Sequence, residues 1–237
     1  MHSNNEIGTI EPIEDIINIA KEREIIVHSD MVQSLGKVHL DLKKLKLDLA
    51  SFSSHKLYGP KGIGCLFIRK GVNIIPLLFG GNQEINRRAG TENVPQIAAF
   101  AKAVEINCSE IESHSQHLRH LREYLLQKIS NFTTGFIING HPEKCLPNIL
   151  SVSFESRLKQ IDGEALLIGM DLRGVSVSSG SACTSGAMQP SKVLLAIGRD
   201  ILTAKATIRF SFGKNTTTND LDFALNALKD TLDAMNY

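Results

Sequence analysis

The chain has 237 residues, of which 42% are hydrophobic and 22% charged, and its net charge is +1 at pH 7. This length allows one large domain or two smaller ones, and the composition is that of an ordinary globular protein. So small a net charge gives no electrostatic argument for nucleic acid or a membrane surface as the main partner. No apolar run reaches the length of a membrane span either, so we expect no partner of these two kinds.

The four cysteines, Cys65, Cys108, Cys145 and Cys183, are widely spaced. None forms a C-x-x-C pair, which argues against a structural zinc site or a redox dithiol. No secretory signal is visible at the amino terminus, so we expect a reduced, cytoplasmic chain. The first three are expected to be structural and buried, as free cysteines often are.

The first hundred residues alternate helical and extended patterns. Residues 12–24 carry apolar side chains at helical spacing. Residues 25–28 are predicted to form a short buried strand that ends at Asp30, and 49–52 and 64–68 to form further strands. Alternation of this kind predicts a largely parallel sheet, whose functional groups gather at the carboxyl ends of its strands.

A long helical pattern follows, since neither Gly nor Pro interrupts the chain from residue 96 to 132. It predicts one long helix, or two abutting ones, around 96–131 that bridges two domains, 1–112 and 113–237.

The second domain is predicted to be a smaller α+β unit. Residues 150–154 alternate as a half-buried strand, and 206–213 do so again. Residues 219–235 are predicted to form a closing helix capped by Thr218 or Asn219.

Three histidines, His114, His117 and His120, recur every three residues within the long helical pattern. No Cys or carboxylate pattern closes a metal site with them, so a solvated helix face is favoured and no fixed metal site is expected.

The stretch Val175–Gly186 holds five serines, one threonine, two glycines and the single thiol of Cys183. Small residues and glycine permit a mobile loop, so we predict that this thiol is presented to solvent. A presented thiol indicates sulfur or acyl chemistry, and the loop alone does not distinguish the two.

A second stretch, Ser51–Gly64, places Lys56 directly after a predicted strand and beside a glycine-rich turn. A lysine there can act as a nucleophilic amine when desolvation or a nearby cation lowers its pKa, although most loop lysines are simply solvated. Asp30 follows the preceding predicted strand and could either cap the next segment or pair with a protonated ring nitrogen. Pyridoxal phosphate requires both a lysine and such a carboxylate.

Six motifs occur together in one order: Asn4–Gly8, His28–Asp30 with Gln33, Ser53–Gly62, Arg88–Asn93, Ser178–Gly186 and Arg209–Gly213. In order and spacing they resemble the cysteine desulfurases, in the branch that serves nitrogenase and general iron–sulfur assembly. The resemblance implies an α/β fold, with the C-terminal part of the large parallel or mixed-sheet domain of the pyridoxal-phosphate-dependent aspartate aminotransferase fold, followed by a small α+β domain. It also implies that residues 80–84 with Arg87 and Arg88 line the active site near a dimer interface.

The same resemblance implies the cofactor contacts. Lys56 would form the Schiff base with pyridoxal phosphate and later move protons, and Asp30 would hold the pyridinium proton. Gln33 would hydrogen-bond the ring oxygen, with Asn5 near that oxygen and the substrate. Two further residues, Ser53 and His55, would bind the phosphate.

The remaining implied roles concern the partner subunit and the substrate. Thr91 would reach the phosphate of the other subunit, which implies a homodimer. Arg209 would clamp the carboxylate of L-cysteine. Cys183 would take the sulfur, leaving L-alanine and a persulfide, and would ligate iron only transiently during transfer to an iron–sulfur scaffold or another acceptor.

The matching motifs begin in the middle of the family's large domain. We therefore expect an N-terminally truncated chain that lacks the phosphate-cradling Gly/Thr turn and the histidine that stacks on the cofactor ring, and whose sheet has an open edge. Two other functions stay open: a selenocysteine lyase of the same fold, and a non-catalytic sulfur carrier or scaffold-binding fragment.

Overall fold

The computed structural model describes residues 1–158, 160–180, 183–184 and 187–235, with the backbone alone at 183–184 and 187–188. Two compact units make up the chain: Met1–His2 with Glu11–Ile111, and Ser3–Ile10 with Glu112–Tyr237. The predicted domains 1–112 and 113–237 stay a prediction. No helix in the described ranges is long and apolar enough to cross a membrane.

The first unit contains a three-stranded mixed sheet in the order β1 (His28–Asp30), β2 (Leu49–Ser53), β3 (Gly64–Ile68). β1 and β2 run parallel, as predicted, with Asp30 beside Ser51. β3 runs antiparallel to β2. The expectation of a largely parallel sheet is wrong for β3, because a connection as short as 54–63 can only return the chain in the opposite direction.

Helices complete this unit: α1 (Ile13–Lys21), α2 (Leu42–Leu45), a 3₁₀-helix (Ser54–Leu57), α3 (Gln83–Asn86) and α4 (Val94–Ser109). Its core joins α1 and α4 to the buried face of β2 and the segments that flank it, through Ile13, Ile17, Met31, Leu47, Ala50, Phe52, Leu57, Phe100 and Ala103. Ala50 and Phe52 are two residues apart, so both point to the same face of the sheet.

Two predictions about burial in this unit are wrong. Ile25 and Ile26 are exposed rather than part of a buried strand, because the Ile25 N–H bonds to the Ala20 carbonyl and continues the turn that ends α1. Cys65 is exposed on β3 and Cys108 on α4, and Cys145 of the second unit is partly exposed. The expected burial of these thiols is therefore not found.

The second unit is built on an antiparallel sheet in the order β4 (Phe136–Asn139), β5 (Ile149–Phe154), β8 (Thr207–Ser211). The other elements are α5 (Ile111–Phe132), α6 (Gly163–Leu172), β6 (Cys183–Thr184), β7 (Ala187–Met188), α7 (Lys192–Ala196), α8 (Ile201–Lys205) and α9 (Thr218–Ala234). Of the two predicted alternatives, the structure has two abutting helices, α4 and α5, separated by Glu110.

All six residues of β5 are buried, although alternation predicted a half-buried strand. The polar residues on its second face are buried because they are hydrogen-bonded. Asn139 Nδ2 donates to the hydroxyls of Ser151 and Ser153 at 3.1 and 2.7 Å, and the Ser153 hydroxyl pairs with Thr207. Paired polar groups carry little of the desolvation cost that unpaired ones would.

The cap of α9 is Thr217, not Thr218 or Asn219 as predicted. The Thr217 hydroxyl accepts the Asp220 N–H, and the Asp220 carboxylate accepts the Thr217 N–H. This reciprocal capping box satisfies two backbone donors that the first helical turn leaves unpaired.

Candidate active site

The first group of site residues lies where β1 and β2 end. Asp30 is the last residue of β1 and pairs in register with Ser51, two residues before the end of β2 at Ser53. The 3₁₀-helix that carries Lys56 follows at once. The structure therefore brings Asp30 and the turn that carries Lys56 to the same edge of two neighbouring parallel strands, as the strand order predicted.

Asp30 is held by its own turn. Its Oδ1 accepts the Val32 N–H at 2.9 Å, and its backbone carbonyl accepts the His2 N–H at 2.8 Å. A carboxylate accepts several hydrogen bonds, so this arrangement orients the group and leaves it capacity for a further N–H donor.

Ser53 and His55 lie together. The Ser53 hydroxyl is 2.8 Å from Nδ1 of His55, with the donor set by the tautomer of the ring. His55 and Lys56 are both exposed. A hydroxyl, an imidazole and an ammonium within four residues form a donor set suited to a phosphate group.

The turn that follows Lys56 is fastened to α4 by Asn107, which the sequence analysis did not single out. Its Nδ2 donates to the Leu57 carbonyl at 3.0 Å and to the Ala103 carbonyl at 2.8 Å, and the residue is buried. The sequence feature that could have identified Asn107 is that it is a polar residue in a helical stretch whose neighbours are mostly apolar.

A second overlooked residue is Lys37. Its Nζ donates to the backbone carbonyl of Gln33 at 3.2 Å and to Gln33 Oε1 at 3.3 Å. Burial, and then the charge on Lys56, lower the pKa of Lys37 to about 8. The sequence feature that could have predicted this contact is the i, i+4 spacing of Gln33 and Lys37.

Thr91 is exposed in the connection between α3 and α4. In the part of the chain that the structure describes, no hydrogen bond joins it to Asp30, Ser53 or Lys56. Nearby, Oε1 of Gln83 accepts the Gly90 N–H at 3.1 Å, which ties the connection back to α3.

In the second unit, the structure brings Asn5 and Arg209 together. Nη1 of Arg209 donates to the Asn5 carbonyl at 2.8 Å. Asn5 lies in a tight loop. In this loop, Oδ1 of Asn4 accepts the backbone N–H groups of Glu6 and Ile7. Nε of Arg209 is buried and has no partner among the described residues.

The loop that carries Cys183 starts beside Arg209 and closes on Glu6. Ser178 pairs with Arg209 through two backbone hydrogen bonds. At the far end, the Ser191 hydroxyl donates to Oε2 of Glu6 at 2.5 Å. The backbone of Cys183 pairs with that of Met188, but its side chain lies outside the described residues, so the predicted presentation of the thiol stays a prediction.

One of the three histidines of α5, His117, has a structural contact. His117 Nε2 is 2.9 Å from the Thr216 carbonyl, just before α9. No group of three or more His, Cys, Asp or Glu side chains close enough to hold a metal is found in the described ranges.

The family model for aminotransferase class-V matches residues 1–223. The chain belongs to the aminotransferase class-V family. A curated relative, the cysteine desulfurase IscS of Dictyoglomus turgidum, is 44% identical over 235 residues, which are 99% of this chain and 59% of that protein.

Solved structures show the same family likeness. A NifS-like protein matches with a TM-score of 0.88 and 40% identity over 98% of this chain and 60% of its own. A structure described as SspA in complex with cysteine matches with a TM-score of 0.71 and 34% identity over 91% and 58%. The predicted α/β aminotransferase fold is thereby confirmed, and the chain spans about three fifths of the length of these relatives.

Proposed function

We propose that the protein is a cysteine desulfurase, which removes sulfur from L-cysteine to give L-alanine and a persulfide on Cys183. The observation that carries this proposal is the parallel register of β1 and β2, which sets Asp30 beside the strand that leads into Lys56. A 44% identity to a relative named cysteine desulfurase supports it.

The proposed cofactor is pyridoxal phosphate, and the donor set of the first unit fits it. Lys56 supplies the amine for covalent attachment, Asp30 a carboxylate for the pyridinium N–H, and the paired Ser53 and His55 side chains donors for the phosphate. Gln33 supplies an amide for the ring oxygen. When bound, the cofactor supplies an electron sink for the substrate's α-carbon.

The proposed substrate site uses Arg209 to bind the carboxylate of cysteine. A planar guanidinium suits a carboxylate because two N–H groups can donate in parallel. The Asn5 carbonyl orients this guanidinium through Nη1. Nε of Arg209 has no partner among the described residues, which supports a guanidinium with a donor left for substrate, and a matching solved structure is described as a complex with cysteine.

Sulfur transfer then requires the thiolate of Cys183. It attacks the sulfur of bound cysteine, so that an S–S bond forms and the bond between sulfur and Cβ breaks. The electron pair of the broken bond stays on Cβ, which takes up a proton and becomes the methyl group of alanine. A free thiol has a pKa of about 8.5, so the step also requires an environment that favours the thiolate.

We further propose a homodimer, in which Thr91 reaches the phosphate of the other subunit. Its support is an exposed apolar segment in the same unit, where the exposed fractions of Ile75, Leu77 and Phe79 are 85%, 92% and 80%. Contiguous exposed apolar side chains mark interaction surfaces. Sedimentation should show dimers that a Leu77→Asp, Phe79→Asp variant loses.

The persulfide needs an acceptor thiol or a metal–sulfur scaffold, so we propose an iron–sulfur scaffold or another sulfur-acceptor protein as the partner. We place the protein in the cytoplasm. The free, exposed thiols of Cys65 and Cys108 support a reducing compartment.

Mass spectrometry and absorbance test the function. The protein incubated with pyridoxal phosphate and cysteine should release alanine and gain the mass of one sulfur atom on Cys183. Cys183→Ala should lose this adduct, Cys108→Ala should keep it, and Lys56→Ala should lose the absorbance band of the bound cofactor. An adduct that forms without pyridoxal phosphate but needs a second protein would instead identify a sulfur carrier.

A further inference from the structure

The amine of Lys37 has no part in the chemistry proposed above, yet it is directed at a residue of the cofactor site. Its Nζ contacts both oxygens of Gln33, the backbone carbonyl at 3.2 Å and Oε1 at 3.3 Å. The two contacts come from one side chain to one residue, so they fix the rotamer of Gln33 as well as its position.

This contact decides which way the Gln33 amide faces. A lysine amine at neutral pH carries only donors, so the amide atom next to it must be the oxygen. The NH₂ end, Nε2, is then turned away from Lys37. An ionised ring oxygen is an acceptor and needs a donor, which is the end of the amide that Lys37 leaves available.

Packing places this pair beside the segment that carries Lys56. Gly36 adopts a φ of +70°, and a Cβ there would lie 2.6 Å from Leu57 Cδ2 and 2.9 Å from Asn107 Cβ. Only glycine permits so close an approach of the 33–37 segment to the residue after Lys56. The charge on Lys56 is also a cause of the lowered pKa of Lys37.

We propose that Lys37 is a positioning residue, which holds the Gln33 amide with its donor end towards the ring oxygen of pyridoxal phosphate. This inference rests on the proposed function, because the ring oxygen belongs to that cofactor. Lys37 itself touches neither cofactor nor substrate.

A double-mutant cycle on cofactor affinity tests the proposal. The Kd for pyridoxal phosphate is measured by absorbance titration for the unaltered protein, Lys37→Met, Gln33→Ala and the double variant. Loss of one oriented hydrogen bond should weaken binding about fivefold to tenfold in Lys37→Met. The double variant should bind no more weakly than Gln33→Ala alone, since Lys37 acts only through Gln33.

Two further variants separate positioning from a general effect of charge or folding. Lys37→Arg keeps a donor and should restore most of the affinity. Lys44→Met removes an exposed lysine of α2 and should leave the Kd unchanged. A readout without cofactor is the side-chain NH₂ resonance of Gln33, which should shift in Lys37→Met and not in Lys44→Met.

The outcomes are distinct. Losses that add in the double variant, or a Lys37→Met protein that binds as tightly as the unaltered one, would overturn the inference and leave the proposed function standing. An unaltered protein with no saturable binding of pyridoxal phosphate would overturn the proposed function and this inference with it.

Discussion

Ser178 and Arg209 exchange both of their backbone hydrogen bonds, with N–O distances of 2.6 Å from Arg209 to Ser178 and 3.3 Å in the other direction. The segment that leads to Cys183 is therefore attached to the strand that carries the proposed carboxylate-binding residue. The attachment fixes the start of the loop relative to Arg209, so in the proposed reaction the Cys183 thiol would reach the substrate sulfur from a defined point.

Gly180, near the start of this loop, packs against the residues that close its far end and should not tolerate a larger side chain. A Cβ at Gly180 would lie 2.7 Å from Glu6 Oε2 and 2.9 Å from Ser191 Cβ, so Gly180→Ala should cost about 1–3 kcal/mol of unfolding free energy. Urea denaturation measures this. The double variant Gly180→Ala, Glu6→Ala should lose less unfolding free energy than the sum of the losses in the two single variants. Purely additive losses would argue against crowding at Gly180.

Asn107 should matter to stability more than its neighbours on α4. Asn107→Ala leaves the Leu57 carbonyl without its buried donor, which should cost about 1–3 kcal/mol. The matched control is Lys102→Ala on the same helix, where the exposed Lys102–Glu105 ion pair of 2.9 Å contributes less than about 1 kcal/mol. Equal urea midpoints for the two variants would contradict the assignment.

Arg209→Lys should weaken the binding of cysteine while keeping the charge. A lysine cannot donate two parallel hydrogen bonds to a carboxylate, so we expect KM for cysteine to rise roughly tenfold or more. Steady-state alanine release measures it. Arg157→Lys, at an exposed position of the same unit, serves as the control and should leave KM unchanged.

Folding stability should rise with pH because of Lys37. Its pKa falls from 10.5 to about 8 in the folded protein, chiefly through burial. Between these values the unfolded chain holds a proton that the folded chain has released, so unfolding free energy increases with pH by up to roughly 3 kcal/mol.

Urea titrations at several pH values across this window measure the rise. Lys37→Met should flatten the pH dependence, while Lys44→Met should retain it. A Lys37→Met protein whose stability still climbs with the same slope would show that another group titrates there.

Local sequence patterns located most of the strand residues that precede the candidate site. The strand at 49–52 and its parallel pairing with a strand that ends at Asp30 followed from the order of elements, although that neighbour is His28–Asp30 and does not include the exposed Ile25 and Ile26. The direction of β3 did not, because the pattern of a strand is the same whichever way it runs. The burial of Ser151 and Ser153 was missed for a related reason: a serine is read as exposed unless its hydrogen-bond partner is known.

The sequence by itself supplied the residue types of the proposed chemistry and their order: the amine of Lys56, the carboxylate of Asp30, the guanidinium of Arg209 and the thiol of Cys183. Only the tertiary structure decided which neighbours hold them. Asn107 meets the Leu57 carbonyl across fifty residues of chain, and Gly36 lets the segment with Lys37 pack against Leu57. Such contacts depend on how buried surfaces fit together, and no local pattern of residue types encodes that fit.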